Sequence, residues 1–200
     1  MKFCYLSYYS QSILGIYMIN RDYTKERWNI EQPWIDDYET EGNLNVTENQ
    51  KLKFCREMKT LTNDFKNSTG DQRAATAYKL ATYCTQASRW GNCWYLTEYE
   101  WSVYGERTKA QKTYENKALD YFDEAIKSSV DSLKYNSMYA KVWLLWRDYQ
   151  YYYDYPPESQ NITPKMNTAM ADLKKYWDGV YGEDEWQFGC DCIMDYVRTH

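Results

Sequence analysis

Apolar and aromatic residues recur at steps of three and four through most of this chain, and that period constrains its fold more than any other feature. One series runs through Leu52, Cys55, Met58, Leu61 and Phe65. Such spacing places side chains on one face of an α-helix, whereas a half-buried strand needs an apolar residue at every second position. Alternating stretches of the strand type are almost absent, so the sequence predicts an all-α fold.

Helix-start and helix-stop signals divide the chain into separate helices. Thr47-x-x-Gln50 and Thr108-x-x-Gln111 have the capping-box spacing, in which each side chain satisfies a free backbone N–H of the other residue. Gly70 and Gly91 interrupt periodic segments, and Thr163-Pro164 is a typical helix start. The expected helices begin at Thr47, Asp71, Trp94, Thr108, Ser137, Thr163 and Glu185.

Domain organisation follows from where these signals occur. Residues 1–46 have a mixed pattern with an acidic run, which predicts an irregular or partly helical N-terminal segment. Residues 47–200 are predicted to form a helical repeat-like domain. The helix that precedes Pro156-Pro157 must end before that pair, because the residue before a proline disfavours the helical conformation.

The helical faces predict a set of core residues. Seven side chains on these faces are expected to be buried: Ala118, Phe122, Ala125, Ile126, Val142, Trp143 and Trp177. Asp123 and Lys127 are spaced for an exposed i,i+4 ion pair. The six cysteines are scattered through a chain of 200 residues and are predicted to be buried free thiols, with Cys190 and Cys192 not bridged to each other.

A small-aromatic-small spacing occurs twice in the chain. Ala74-x-x-x-Tyr78-x-x-Ala81 and Ala118-x-x-x-Phe122-x-x-Ala125 both match the second helix of a tetratricopeptide repeat, although they lie further apart than that repeat's period of about 34 residues. The fold expected from this pattern is an array of antiparallel helical hairpins stacked in a tetratricopeptide-like α/α arrangement, with about six or seven helices.

Three further segments carry a family resemblance: Tyr78–Cys84, Trp90–Tyr99 and Phe188–Cys192. In their texture they resemble uncharacterised tetratricopeptide-like helical cell-envelope proteins of anaerobic gut bacteria. The resemblance implies an exported, non-catalytic protein of the periplasm or cell envelope, and it transfers no functional residues. The N-terminal residues do not have the pattern of a signal peptide, because tyrosine and serine interrupt the apolar stretch. The compartment therefore stays open.

Charge and residue content exclude several classes of function. The chain has 24 Lys and Arg against 29 Asp and Glu, a formal net charge of -5, so nucleic acid is not an expected partner. No apolar run is long enough for a transmembrane helix. His200 is the sole histidine, and no catalytic, phosphate-binding or calcium-binding motif occurs. We therefore expect a protein that is not an enzyme and that has no cofactor or metal.

Aromatic residues around the helix break at Gly91 give the candidate site. Their rings cannot all face one core, so Trp90, Trp94, Tyr95 and Trp101 are predicted to be ligand-binding anchors, with core packing as the competing interpretation.

The leading functional hypothesis is a non-enzymatic helical scaffold that binds a protein or peptide. The alternative is a carbohydrate-binding helical domain of a nutrient-uptake system, in which exposed rings would stack on a sugar. A more distant alternative is a glycosidase, because Glu98 and Glu100 lie among aromatic residues and paired carboxylates hydrolyse glycosidic bonds.

Overall fold

The computed structural model describes residues 22–28, 49–98, 108–154 and 159–181. These ranges contain five α-helices and a short 3-10 turn at Trp94–Leu96, and no strand occurs within them. The helices are α1 (Gln50–Asn67), α2 (Gly70–Gln86), α3 (Lys109–Ala125), α4 (Asp131–Asp154) and α5 (Ser159–Tyr181). The predicted all-α class is confirmed. The expected helix beginning at Glu185 and the expected boundary between residues 46 and 47 lie outside the described residues.

The capping box predicted at α3 is confirmed, whereas the N-cap of α1 lies two residues later than predicted. At α3 the capping box is present: Thr108 N–H donates to Gln111 Oε1, and Gln111 N–H donates to Thr108 Oγ1, both at 3.3 Å. At α1 the cap is Asn49, whose Oδ1 accepts from the backbone N–H of Leu52 at 3.1 Å. Gln50 is therefore the first residue of α1, and Thr47 lies outside the described residues.

Two other predicted boundaries were wrong. Gly70 begins α2, with a φ of +57°, although it was expected to end the preceding helix. Pro164 lies inside α5, which begins five residues before it. Of the helix expected from Trp94 to Tyr104, the described part contains a 3-10 turn at Trp94–Leu96, and residues 99–104 lie outside the described residues. The end of α4 at Asp154, before Pro156-Pro157, agrees with the prediction.

The boundaries of α3 and α4 differ from the predicted ones because of the turn that connects the two helices. The apolar face of the helix predicted from Thr108 continues through Val130 and Leu133, and the next helix was expected to start at Ser137, but α3 ends at Ala125 and α4 begins at Asp131. Asp71 accepts hydrogen bonds from the hydroxyl of Ser128 at 2.8 Å, from the N–H of Ser129 at 2.7 Å and from the hydroxyl of Ser129. A carboxylate distant in sequence thus stabilises a turn that the local pattern did not predict.

The contact pattern divides the chain into two compact units. The first comprises residues 1–68 and 79–118. Near the start of α1, Phe54 has its ring centroid 6.3 Å from that of Tyr83, near the end of α2, so these two helices run antiparallel. The core of this unit is an aromatic cluster built on six buried residues: Tyr23, Phe54, Ala87, Cys93, Tyr95 and Leu96.

The second unit comprises residues 69–78 and 119–200. Here α4 and α5 pack along each other. Tyr135, near the start of α4, has its ring 5.3 Å from that of Trp177, near the end of α5, so the pair forms an antiparallel helical hairpin. Arg73 Nε lies 3.4 Å from Glu124 Oε2. This ion pair places the start of α2 beside the end of α3, so these two helices are also antiparallel.

Most of the predicted core residues are buried. Ala118, Phe122, Ala125, Val142 and Trp143 are 7% exposed or less. Two predictions were wrong, because Ile126 and Trp177 are only half-buried.

The predicted ion pair between Asp123 and Lys127 was also wrong. Lys127, just after the end of α3, pairs with Glu124 of α3, whereas Asp123 pairs with Lys141 of α4 at 2.6 Å.

Three of the six cysteines lie within the described residues. Cys84 and Cys93 are buried free thiols, as expected, whereas the free thiol Cys55 is exposed. Cys4, Cys190 and Cys192 lie outside the described residues. Across the helices that the structure describes, no segment combines the length and the hydropathy that a bilayer span requires.

Candidate functional site

The helix break at Gly91 is a tightly packed loop. Helix α2 ends at Gln86, and the chain turns so closely that the N–H of Cys93 donates to the Gln86 carbonyl at 3.0 Å. A Cβ atom at position 91 would overlap the backbone of Gln86, so only glycine fits there. The sequence correctly predicted a helix break at this glycine.

The side chain of Gln86 fixes the loop further. It is fully buried and uses both ends of its amide: Nε2 donates to the carbonyl of Lys25 at 2.6 Å, and Oε1 accepts from the N–H of Asn92 at 2.9 Å. A second link comes from Thr97, whose hydroxyl donates to the carbonyl of Ala87 at 2.8 Å. The bonds to Asn92 and Ala87 satisfy backbone groups next to the helix break, and the bond to Lys25 satisfies a carbonyl of the preceding segment.

The predicted aromatic anchors occupy different environments in this loop. Tyr95 is only 4% exposed and belongs to the aromatic cluster, so its expected exposure was wrong. Trp94 packs against the same cluster and is half-buried. Trp90 is also half-buried, with the guanidinium carbon of Arg89 5.9 Å from its ring centroid. Trp101 lies outside the described residues. Ligand binding by the remaining ring surface stays a prediction.

A carboxylate and two tyrosines form a polar group at the edge of the aromatic cluster. Glu57 Oε2 accepts from the hydroxyl of Tyr23 at 2.9 Å and from that of Tyr83 at 3.2 Å. Burial, followed by the charge of Glu57, raises the pKa of Tyr83 to about 12, and burial with the Glu57 hydrogen bond raises the pKa of Tyr23 further. Both phenols stay protonated at neutral pH and hold the carboxylate in place.

The acid pair suggested for a glycosidase is only half described. Glu98 accepts a hydrogen bond from the hydroxyl of Thr108, at the start of α3. Glu100 lies outside the described residues, and the acid pair stays a prediction.

A groove of about 500 Å³ lies between α4 and α5 in the second unit. Its apolar lining comes from Ile126, Met138, Ala169, Gly179 and Val180. Met138 and Ala169 are buried, whereas Val180 is 47% exposed. No atom lies within 4 Å of a Cβ built at Gly179, so the groove is open at that point.

Charged and aromatic side chains form the rim of this groove: Lys134, Lys141, Asp172, Lys175 and Tyr176. The ammonium of Lys134 lies 5.2 Å from the ring centroid of Tyr176. The hydroxyl of Tyr176 in turn donates to Asp131 Oδ1 at 3.0 Å. The ring thus has a fixed position in which one face attracts a cation.

Sequence reasoning missed the groove for an identifiable reason. The face of one predicted helix ended at Leu133 and the next helix was predicted to start at Ser137, because the turn before Asp131 was not predicted. The spacing of Lys134, Met138 and Lys141 along one helix would have indicated a mixed apolar and basic face. Even so, the pairing of that face with α5 is not encoded in the spacing of either helix.

Within the described ranges, no group of three or more His, Cys, Asp or Glu side chains is placed to hold a metal ion. Comparison with protein-family models, with curated protein sequences and with solved structures gave no significant match to the chain.

Proposed function

We propose that the chain is a non-enzymatic helical scaffold that binds a protein or peptide, and that the α4–α5 groove is its docking site. The observation that carries the proposal is the combination of an open apolar groove with a rim of charged side chains between two antiparallel helices. Its volume of about 500 Å³ falls within the range of roughly 300–1,000 Å³ that is usual for binding pockets.

Physical chemistry favours a peptide segment as the occupant. Half-exposed apolar side chains such as Val180 lose contact with water when a ligand side chain enters the groove, at about 25 cal/mol per Å² of apolar surface. The charged rim can meanwhile select the register and orientation of the bound segment. Helical grooves of this kind typically receive an amphipathic helix.

The tetratricopeptide-like arrangement is part of the same proposal. The antiparallel pairs α1/α2 and α4/α5 are consistent with hairpins as the building unit. In such arrays the hairpins bury their shared faces and leave grooves for ligands. We propose that this chain uses its hairpins in that way.

Peptide-display selection on the whole chain tests the proposed function. Gly179→Phe would place a ring into the open groove, whereas Gly179→Ala adds one methyl group where no atom lies within 4 Å. We expect the selected peptides to bind the parent and Gly179→Ala alike, and to bind Gly179→Phe at least about tenfold more weakly. If the selected peptides bind Gly179→Phe as tightly as they bind the parent, the groove is not the docking site.

Carbohydrate binding remains the alternative function, because the half-buried rings of Trp90 and Trp94 retain some accessible surface. A glycan array on the parent and on Trp94→Ala distinguishes the two functions. Sugar binding that is lost in Trp94→Ala and unchanged in Gly179→Phe would favour the alternative.

A further inference from the structure

Two lysine ammonium groups at the rim of the α4–α5 groove are available to a ligand. Lys134 extends from α4 and Lys175 from α5, and both line the groove. In the part of the chain that the structure describes, neither ammonium lies within salt-bridge distance of a carboxylate. Lys141, by contrast, is already paired with Asp123 at 2.6 Å. Among the described residues, α4 and α5 thus each contribute one ammonium group that has no carboxylate within salt-bridge distance.

One acidic residue, Asp172, lines the groove together with these two lysines. Lys134 and Lys175 nevertheless outnumber it, in a chain whose formal net charge is -5. A ligand with an apolar stripe and a carboxylate on each side of that stripe would match both the apolar lining and the two ammonium groups.

The geometry points to the α4–α5 groove as a docking site for an amphipathic helix of a partner protein, with Asp or Glu residues flanking its apolar stripe. This inference rests on the proposed function and adds the chemical class of the partner. Lys134 lies over the ring of Tyr176, and the hydrogen bond from Tyr176 to Asp131 fixes that ring. Part of the ordering that a bound carboxylate requires is therefore present before the partner arrives.

Two designed probe peptides test the inference by fluorescence anisotropy. Each is a fluorescein-labelled helix of about 18 residues with leucine at positions i, i+3, i+7 and i+11; in one the flanking positions are glutamate, and in the other they are lysine. The protein variants are Lys175→Glu, the double change Lys134→Glu with Lys175→Glu, and the control Lys165→Glu. Lys165 is an exposed residue of α5 that does not line the groove.

We expect the parent and Lys165→Glu to bind the glutamate probe at least about tenfold more tightly than the lysine probe. The difference in affinity should shrink as the salt concentration is raised. The double variant should reverse the preference, and Lys175→Glu alone should reduce it. Because Lys175 is exposed, the single variant keeps the test valid if the double variant fails to fold.

Three results would overturn the inference: equal binding of the two probes, a glutamate preference that survives charge reversal, or groove-dependent binding of oleate without binding of the glutamate probe. The binding of the probes to Gly179→Phe distinguishes a failure of this inference from a failure of the proposed function. If Gly179→Phe weakens both probes equally and neither is preferred, the groove still docks peptides and only the acidic partner is excluded. If Gly179→Phe affects neither probe, the docking site itself is wrong.

Discussion

The side chain of Gln86 donates a hydrogen bond from Nε2 to the carbonyl of Lys25, at 2.6 Å and 61 residues away in sequence. Its Oε1 accepts from Asn92, so one buried amide joins a preceding segment to the loop after α2. Gln86→Leu should lower the free energy of unfolding by about 2 kcal/mol, because two backbone groups lose their partner. Urea denaturation measures the change, and Gln72→Leu, at an exposed position of the same helix, is the control. A loss of similar size in both variants would contradict the role of this amide.

Two glycines should respond in opposite ways to alanine. At Gly91 the added Cβ would overlap the Gln86 backbone, so the loop must move and stability should fall by about 3 kcal/mol. At Gly179 the added Cβ meets no atom within 4 Å, and alanine in a helix should raise stability by about 0.5–1 kcal/mol. Thermal unfolding followed by circular dichroism compares the two variants. A stable Gly91→Ala variant would show that the loop packs differently.

Tyr95→Ala should lower the free energy of unfolding, in addition to any effect on binding. The ring is 4% exposed within the aromatic cluster, so its removal should cost about 3–5 kcal/mol. Tyr95→Phe keeps the ring and is the matched control in chemical denaturation. If Tyr95→Ala unfolds at the same denaturant concentration as the parent, the ring does not belong to the core.

The hydroxyl of Thr85 is a buried polar group whose removal should stabilise the chain. Thr85 is fully buried, and its Oγ1 has no hydrogen-bond partner among the residues that the structure describes. Thr85→Val retains the shape of the side chain and should raise the free energy of unfolding by about 1 kcal/mol.

Thr97→Val is the matched comparison for Thr85→Val in denaturation measurements. It removes a hydroxyl that donates to Ala87 at 2.8 Å, so it should lower the free energy of unfolding by about 1 kcal/mol. Equal effects of the two substitutions would contradict the assignment of hydrogen bonds at these positions.

Asp71 should make the chain sensitive to acid. The hydrogen bonds from Ser129 and then from Ser128 hold the pKa of Asp71 below its ordinary value of 3.8. A depressed pKa means that the native state favours the ionised form, so the stabilisation is present above pH 3.8 and is lost as the pH falls below that value.

Urea unfolding of the parent and of Asp71→Asn across this pH range measures the contribution of the carboxylate. The parent should be more stable than the variant at neutral pH, and the difference should shrink as Asp71 becomes protonated. A difference that does not change below pH 3.8 would show that Asp71 is not the titrating group.

The features that could be predicted from the sequence are local along the chain. The capping box of Thr108 and Gln111, the end of α4 before Pro156 and the buried positions of Phe122 and Val142 all follow from spacing within one helix or one turn. Periodicity determines which side chains share a face, and capping determines where a helix begins. The all-α class and much of the core could therefore be predicted from local spacing alone.

Which helix faces pack against each other depends on the tertiary structure. Asp71 bonds to Ser129 across 58 residues, Asp123 pairs with Lys141 and not with Lys127, and the ring of Tyr95 enters the core. The α4–α5 groove likewise exists only because two helices present matching faces. Contacts between elements depend on the packing and burial of both partners at once, and the spacing of residues within one element does not contain that information.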